Sequence, residues 1–271
     1  IKLQLISMVN VEILWRRKGK MLEKVDFYYF SPTGGTKKVG EVFAGEVART
    51  VCPWDLGKKE TRKNEAELLV VAVPVFGGRI PGVAAQRLRK LDGQGKRAVT
   101  LVVYGTRAYE DALLELNDVI TDCGFQIVAS GAFVAQHSMA PQVGSGRPDG
   151  ADKEELRAFA GRVLKKVENG QAGKVEVPGN RPYKPQMQMP ATPICLPSCT
   201  RCGTCAAICP TEAVRVCEDF VQTKAEKCIL CMACTAACPE NARVLPAPLQ
   251  ETMEQKLGAL KDVRRENEVF L

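Results

Sequence analysis

The 271-residue sequence predicts an α/β architecture: a doubly wound, five-stranded parallel sheet joined to a second, small α+β domain. Three observations lead there. Between Lys24 and Val167, short apolar runs alternate with segments of helical apolar spacing, the pattern of a parallel sheet with crossover helices. Ten of the twelve cysteines lie at or after Cys195, so composition changes along the chain. Eight of those ten form two copies of one spacing. At about 150 residues per domain, the length itself suggests two domains. Apolar residues at 45% and charged residues at 25% exclude a disordered chain, a collagen and a coiled coil. No apolar run reaches the roughly 18 residues of a bilayer-spanning helix, so no membrane span is expected.

Taken in order, residues 1–23 are set apart as a leader. In IKLQLISMVNVEILWRRKGK the basic cluster follows the apolar stretch, the reverse of a secretory signal. Export is rejected and a cytoplasmic location expected. The sequence opens on Ile and Met21 offers a start, so residues 1–20 are read as a gene-calling artefact; a basic arm that docks a partner is the alternative. Those twenty residues hold five Lys/Arg and one Glu, a net +4 of the total +7. The remaining charge is small, and no basic patch with interleaved aromatics appears, so nucleic-acid binding is not expected.

Residues 24–170 form the first domain. Val25–Phe30 reads as a strand. Thr36–Thr50 carries Val39, Phe43 and Val47 at i, i+4 and i+8, an amphipathic helix. A short strand follows near Val51–Leu56, and Ala66–Val73 is the near-continuous apolar run of a buried parallel strand. Val83–Leu91 is helical, Arg97–Tyr104 a strand, Tyr109–Cys123 a helix and Phe125–Val134 a fifth strand. Ala151–Val167 is a helix with Asp149 as its N-cap. Residues 171–194, rich in Gly, Pro and Gln, read as a linker, and 247–271 as a charged helical tail.

Three loops follow strand ends in this first domain. Ser31-Pro32-Thr33-Gly34-Gly35-Thr36 offers hydroxyls and backbone N–H groups at a helix start, which suits a phosphate dianion. It is neither a Walker loop nor a G-x-G-x-x-G fingerprint. Pro74-Val75-Phe76-Gly77-Gly78-Arg79-Ile80-Pro81 and Tyr104-Gly105-Thr106-Arg107-Ala108-Tyr109-Glu110-Asp111 each bring an aromatic, a Gly and an Arg to the same sheet edge. A planar tricyclic ring needs such flat walls and exposed amides. Phe76 and Tyr109 stay open between ring wall and core. His137, the only imidazole, is read as a hydrogen-bonded loop residue in preference to a proton relay.

Residues 195–246 carry the strongest pattern. C-T-R-C-G-T-C-A-A-I-C-P at 199–210 and C-I-L-C-M-A-C-T-A-A-C-P at 228–239 are both C-x2-C-x2-C-x3-C-P, offset by 29 residues. Three close cysteines wrap three corners of a cubane, and in such pairs the fourth ligates the other cluster. One 4Fe-4S cluster is therefore assigned to Cys199, Cys202, Cys205 and Cys238, and the other to Cys228, Cys231, Cys234 and Cys209. Zinc sites show separated cysteine pairs, often with His, and a disulfide scaffold needs an oxidising compartment. Cys52 and Cys123 read as core, Cys195 and Cys217 as neighbours of the ligand loops.

This cysteine region resembles bacterial two-cluster ferredoxins, which implies a small α+β ferredoxin domain passing single electrons. S-P-T-G-G-T resembles the FMN-phosphate loop of flavodoxin, and the two later loops look like those of fused flavodoxin–ferredoxin proteins from anaerobes. That resemblance implies a flavodoxin-like sheet holding FMN, its phosphate on Ser31, Thr33, Gly34, Gly35 and Thr36. It places Phe76, Gly77 and Gly78 beside one side of the ring, and Tyr104, Gly105 and one of Arg107 or Tyr109 beside the other. The expected function is an electron-transfer protein relaying single electrons between two 4Fe-4S clusters and FMN, with a redox protein as donor or acceptor. The alternatives are an FMN-dependent reductase of a small molecule fed by the clusters, and a sensor whose clusters report oxidation. No pyridine-nucleotide site is evident, and oligomeric state is not legible.

Overall fold

The computed structural model describes residues 20–60, 64–171, 173–187 and 191–271. Residues 1–19, which hold most of the expected leader, lie outside the described residues.

Strands β1 (Leu22–Tyr29), β2 (Ala48–Asp55), β3 (Leu68–Pro74), β4 (Arg97–Tyr104) and β5 (Gln126–Val134) run parallel in the order β2-β1-β3-β4-β5. That is the flavodoxin-like order, with its topological switch between β1 and β3. Helices α1 (Gly35–Val47) and α4 (Gly150–Glu168) cover one face, and α2 (Gly82–Leu88) and α3 (Ala112–Asp122) the other. Both faces are buried, which is why the strands read as apolar runs and not as alternation. In β3, Leu68, Val70 and Ala72 face α1 and α4, while Leu69, Val71 and Val73 face α2 and α3. Helix α1 lies so close to the sheet that a Cβ at Gly40 would sit 2.2 Å from the Phe27 ring. Between the layers, Thr100 of β4, Ser130 of β5 and Asn117 of α3 share a closed hydrogen-bond triad of 2.5–3.1 Å.

Two helix ends differ from expectation. Helix α1 stops at Val47, and residues 48–50 extend β2 instead, pairing Leu22 with Ala48 and Lys24 with Thr50. A seven-position ladder to β1 outweighs the weak helix preference of three residues. Helix α3 starts only at Ala112, because Glu110 is left-handed at φ 45°. The Asp149 cap is present as a reciprocal capping box with Asp152.

The cysteine region is built from short pairs: β6 (Ile194–Cys195) with β9 (Arg243–Val244), and β7 (Val214–Val216) with β8 (Val221–Thr223), both antiparallel. Single-turn helices α5 (Thr204–Ala207) and α6 (Ala233–Ala236) sit within the two motifs. The chain then forms α7 (Ala247–Gly258) and returns to the sheet as β10 (Glu268–Phe270), antiparallel to β5. The expected tail helix thus accounts for the first half of the tail only. A buried clamp fixes the return. Arg147 holds Asp152 from Nε at 2.9 Å and donates to the Arg265 carbonyl at 2.5 Å. Asn267 donates to Asp152 at 2.9 Å and accepts from the Val134 N–H at 2.9 Å. Arg265 Nε reaches the Thr106 carbonyl at 2.8 Å.

Residues 180–184 lie along the sheet domain. Asn180 and Lys184 donate backbone N–H groups to Asp111 at 2.9 and 2.8 Å, Arg181 pairs with Asp118, and Arg79 stacks 4.8 Å over the Tyr183 ring.

Tyr104 and Tyr109 meet edge-on under α3, with centroids 5.4 Å apart, and Tyr109 donates to Glu268 of β10 at 2.8 Å. Burial pushes the Tyr104 phenol up to about 12, and burial together with Glu268 raises Tyr109 as well. Against an unfolded value of about 10, the stabilisation from these neutral phenols is complete below pH 10 and is lost as pH rises through the folded values. Phenolate absorbance should therefore show both rings silent near pH 10 and ionising only together with loss of the fold. A smooth titration of all five tyrosines near pH 10 would contradict this packing.

Candidate functional site

The two cysteine motifs fold alike. Arg201, Gly203 and Glu212 of the first are left-handed, at φ 55°, 84° and 53°; Leu230, Met232 and Asn241 of the second are left-handed at 50°, 64° and 49°. Each pair is separated by the same 29 residues as the cysteines. A left-handed non-glycine costs about 1–2 kcal/mol. Such strain persists only where the surroundings over-determine it. Here it coils each loop so that its sulfurs turn inward. The repeat extends to polar contacts: Ala213 N–H donates to Cys209 Sγ at 3.2 Å, and Ala242 N–H to Cys238 Sγ at 3.3 Å.

All twelve cysteines are free thiols. Two cavities open among them. Cys199, Cys202, Cys205 and Cys238 line one; Cys228, Cys231, Cys234 and Cys209 line the other. The fourth cysteine of each motif thus crosses to the cavity of its repeat. Burial raises the Cys205 and Cys228 thiols and pushes Cys231 up to about 12, so these three stay protonated until coordinated. Coordination to a metal deprotonates such a thiol outright. Among the described residues, no three His, Cys, Asp or Glu side chains converge as a single-ion site. Four thiols around a wider cavity, with backbone N–H groups on the sulfurs, suit the donor chemistry of an iron–sulfur cubane.

Two further residues belong to this region. Cys195 lines the Cys199 cavity. Arg243, 3% exposed, donates to Cys195 Sγ at 3.1 Å and to the hydroxyl of Thr223, which lines the other cavity. Burial works against its charge, and the sulfurs more than offset it. Sequence reading missed Arg243. The available signal was a charge inside the apolar run Ala242-Arg243-Val244-Leu245, five residues after Cys238.

The second cavity faces the sheet domain. Its lining residue Ile229 packs on the α2–α3 core, and Leu230 and Met232 pack with Met139 from the loop after β5. Arg87 of α2 donates to the Pro210 carbonyl at 2.8 Å.

The three loops singled out in the sheet domain follow β1, β3 and β4, which are adjacent and parallel, so all three lie on one edge, at the switch point. In the first, Gly34 is left-handed at φ 89°, as the entry to α1 requires. Ser31 Oγ accepts the Lys37 N–H at 2.9 Å, which leaves its hydroxyl proton to donate. Gly35 and Thr36 open α1, where N–H groups have no helical carbonyl to pair with; Thr33 is exposed. These residues fit a phosphate. In the second loop, Phe76 is half-buried, edge-on to Phe30 at 6.5 Å. Gly77 and Gly78 are left-handed and lie against Met187 and Glu110 respectively. In the third, Gly105 lies against the His137 ring and exposed Arg107 pairs with Glu110, while Tyr104 and Tyr109 lie in the core. Of the two readings for Tyr109, this placement favours core. His137 Nδ1 accepts from Met139 and Ala140 N–H groups, both at 3.2 Å, and burial lowers its pKa, so the ring is neutral with its proton on Nε2.

A 4Fe-4S binding domain family matches residues 221–244, and a second 4Fe-4S binding domain family matches residues 196–212. No curated protein matches the chain. Solved structures similar to it include a flavodoxin of Streptococcus pneumonia TIGR4, 20% identical, covering 53% of this chain and 99% of that one at a TM-score of 0.40. A Fusobacterium nucleatum flavodoxin bound to flavin mononucleotide is 10% identical over 55% of this chain and 99% of that one, at 0.40. A short-chain flavodoxin associated with a bacterial microcompartment is 18% identical over 54% and 99%, at 0.42. At such scores the strand order itself is the firmer ground. The chain joins a flavodoxin-like α/β domain to a region of the 4Fe-4S binding type.

Proposed function

We propose that this chain is an electron-transfer protein that relays single electrons between two 4Fe-4S clusters and a bound FMN, with a redox protein as its partner in the cytoplasm. The observation that carries this reading is the sorting of eight cysteines into two cavities of four, each completed by the cysteine of the opposite motif. When bound, the clusters supply one-electron steps and the flavin supplies storage for one or two electrons.

The protein's own part is placement. Cys199, Cys202, Cys205 and Cys238 would hold one cluster; Cys209, Cys228, Cys231 and Cys234 would hold the other. Ile229, Leu230 and Met232, from the motif of the second set, pack against residues of the sheet domain. The Ala213 and Ala242 N–H groups give each cavity a fixed donor to sulfur. Ser31, Thr33, Gly34, Gly35 and Thr36 would bind the FMN phosphate. Phe76, Gly77 and Gly78 would flank one side of the ring. On the other side Gly105 and Arg107 remain, with Tyr104 and Tyr109 packing behind them.

Anaerobic purification with iron, sulfide and FMN assay tests the reading: about eight irons and one FMN per chain are expected. A folded chain that takes up neither would overturn it. Thr36→Val removes one phosphate donor in the first turn of α1. At about 1.5 kcal/mol for a hydrogen bond to a charged group, FMN should bind roughly tenfold more weakly by fluorescence titration, with iron content unchanged.

A further inference from the structure

We propose that Arg243 is a cation shared by the two cluster cavities and that it raises the midpoint potentials of both clusters. The inference rests on the two-cluster reading above and adds to it a residue that neither motif contains.

The pairing of β6 with β9 sets Cys195 directly opposite Arg243. From there the guanidinium reaches Cys195 Sγ at 3.1 Å and the Thr223 hydroxyl of β8, which holds its plane. It lines the cavity of Cys199, Cys202, Cys205 and Cys238, and its partner Thr223 lines the other. One charge therefore lines one cavity and is bonded to the wall of the other. The side chain is 97% buried and its Nε–H has no partner. A buried guanidinium with an unused donor is strongly disfavoured unless anionic acceptors surround it. Among the described residues it forms no ion pair with a carboxylate. Its sulfur partner is Cys195. Two clusters, each about −2 with its thiolates, would supply the missing anions and an acceptor for Nε. The other charges lining the first cavity, Arg201 and Glu240, are exposed and screened by water.

The direction follows from charge. Reduction adds one electron and makes a cluster more negative, so a fixed cation nearby favours the reduced form. Removing the charge lowers the potential; moving the same charge to a shorter donor changes it less.

The test is an anaerobic redox titration of the full chain, followed by electron paramagnetic resonance, for the unaltered protein, Arg243→Lys and Arg243→Gln. Arg243→Gln is expected to cut the reduced-to-oxidised ratio of both clusters at least about tenfold at a fixed applied potential, about 59 mV for a one-electron couple. Arg243→Lys should stay close to the unaltered protein. If Arg243→Gln keeps its iron and titrates unchanged, or if Arg243→Lys falls as far, the proposal is overturned. Should Arg243→Gln fail to hold iron, the unaltered protein with isotope-labelled arginine decides. Both reduced clusters should then show a guanidinium nitrogen coupling that Arg243→Lys lacks, and its absence would overturn the proposal. A chain without iron would instead sink the two-cluster reading itself.

Discussion

Cys209→Ala is expected to reduce the iron content from about eight to about four per chain, and to do so by emptying the cavity of the second motif, not its own. Cys209 lies in the first motif by sequence, yet it lines the cavity of Cys228, Cys231 and Cys234. Double variants separate crossed from local ligation. With crossed ligation, Cys209→Ala with Cys228→Ala removes no more iron than either alone, because both serve one cluster. Cys209→Ala with Cys199→Ala removes nearly all of it. Local ligation predicts the reverse: about four irons remain in the second pair and none in the first. The second cavity is the cleaner place to start, since the first also contains Cys195, a thiol that can stand in for a lost ligand. Iron and sulfide assay on anaerobic protein reads the result directly.

The second large effect concerns the tail. Asp152→Ala should destabilise the sheet domain by about 3–5 kcal/mol, the usual loss when one partner of a buried ion pair is removed. The Asp152 side chain is 1% exposed and that of Arg147 6% exposed. Alanine leaves the Arg147 charge uncompensated and takes away one of the two acceptors of Asn267, the other being Glu155. Chemical denaturation should show the lost stability, and limited proteolysis should open residues 259–267. Unchanged resistance at both would refute the clamp. The same residue gives a pH dependence. Burial opposes its charge, but Arg147 and Asn267 outweigh burial and hold the carboxyl below the usual carboxylate range. A depressed pKa contributes stability above the unfolded value of about 3.9, and that contribution is lost as pH falls through the folded value. Asp152→Asn should lack that acid-side slope.

Local patterns carried most of the fold. The run Leu68–Pro74 could only be a strand buried on both faces, and the repeated cysteine spacing named its own chemistry. Ser31–Thr36 was legible as a strand-to-helix loop because strand, glycines and helix start follow one another directly. What failed was non-local. Glu-Val-Phe at 268–270 is too short to signal a strand, and its ladder to β5 exists only once the chain has come back. Asp152 is a first-turn acid that no sequence pattern singles out; its importance comes from Arg147 and Asn267. The left-handed Leu230 and Met232 break the glycine rule, and only equivalence with Arg201 and Gly203 explains them. Tyr104 and Tyr109 were offered as ring walls because aromatics in a strand-end loop look alike whether they turn out or in.

Strand β10 also bears on aggregation. The opposite border of the sheet protects itself: β2 carries Arg49, Thr50 and Pro53, which discourage a stranger from adding on. Strand β5, Gln-Ile-Val-Ala-Ser-Gly-Ala-Phe-Val, has no charge and no proline. Unshielded, it is a template for intermolecular β-pairing. Three residues supplied after the whole cysteine region fill that vacancy, so a chain whose tail has come loose should become sticky well before it unfolds.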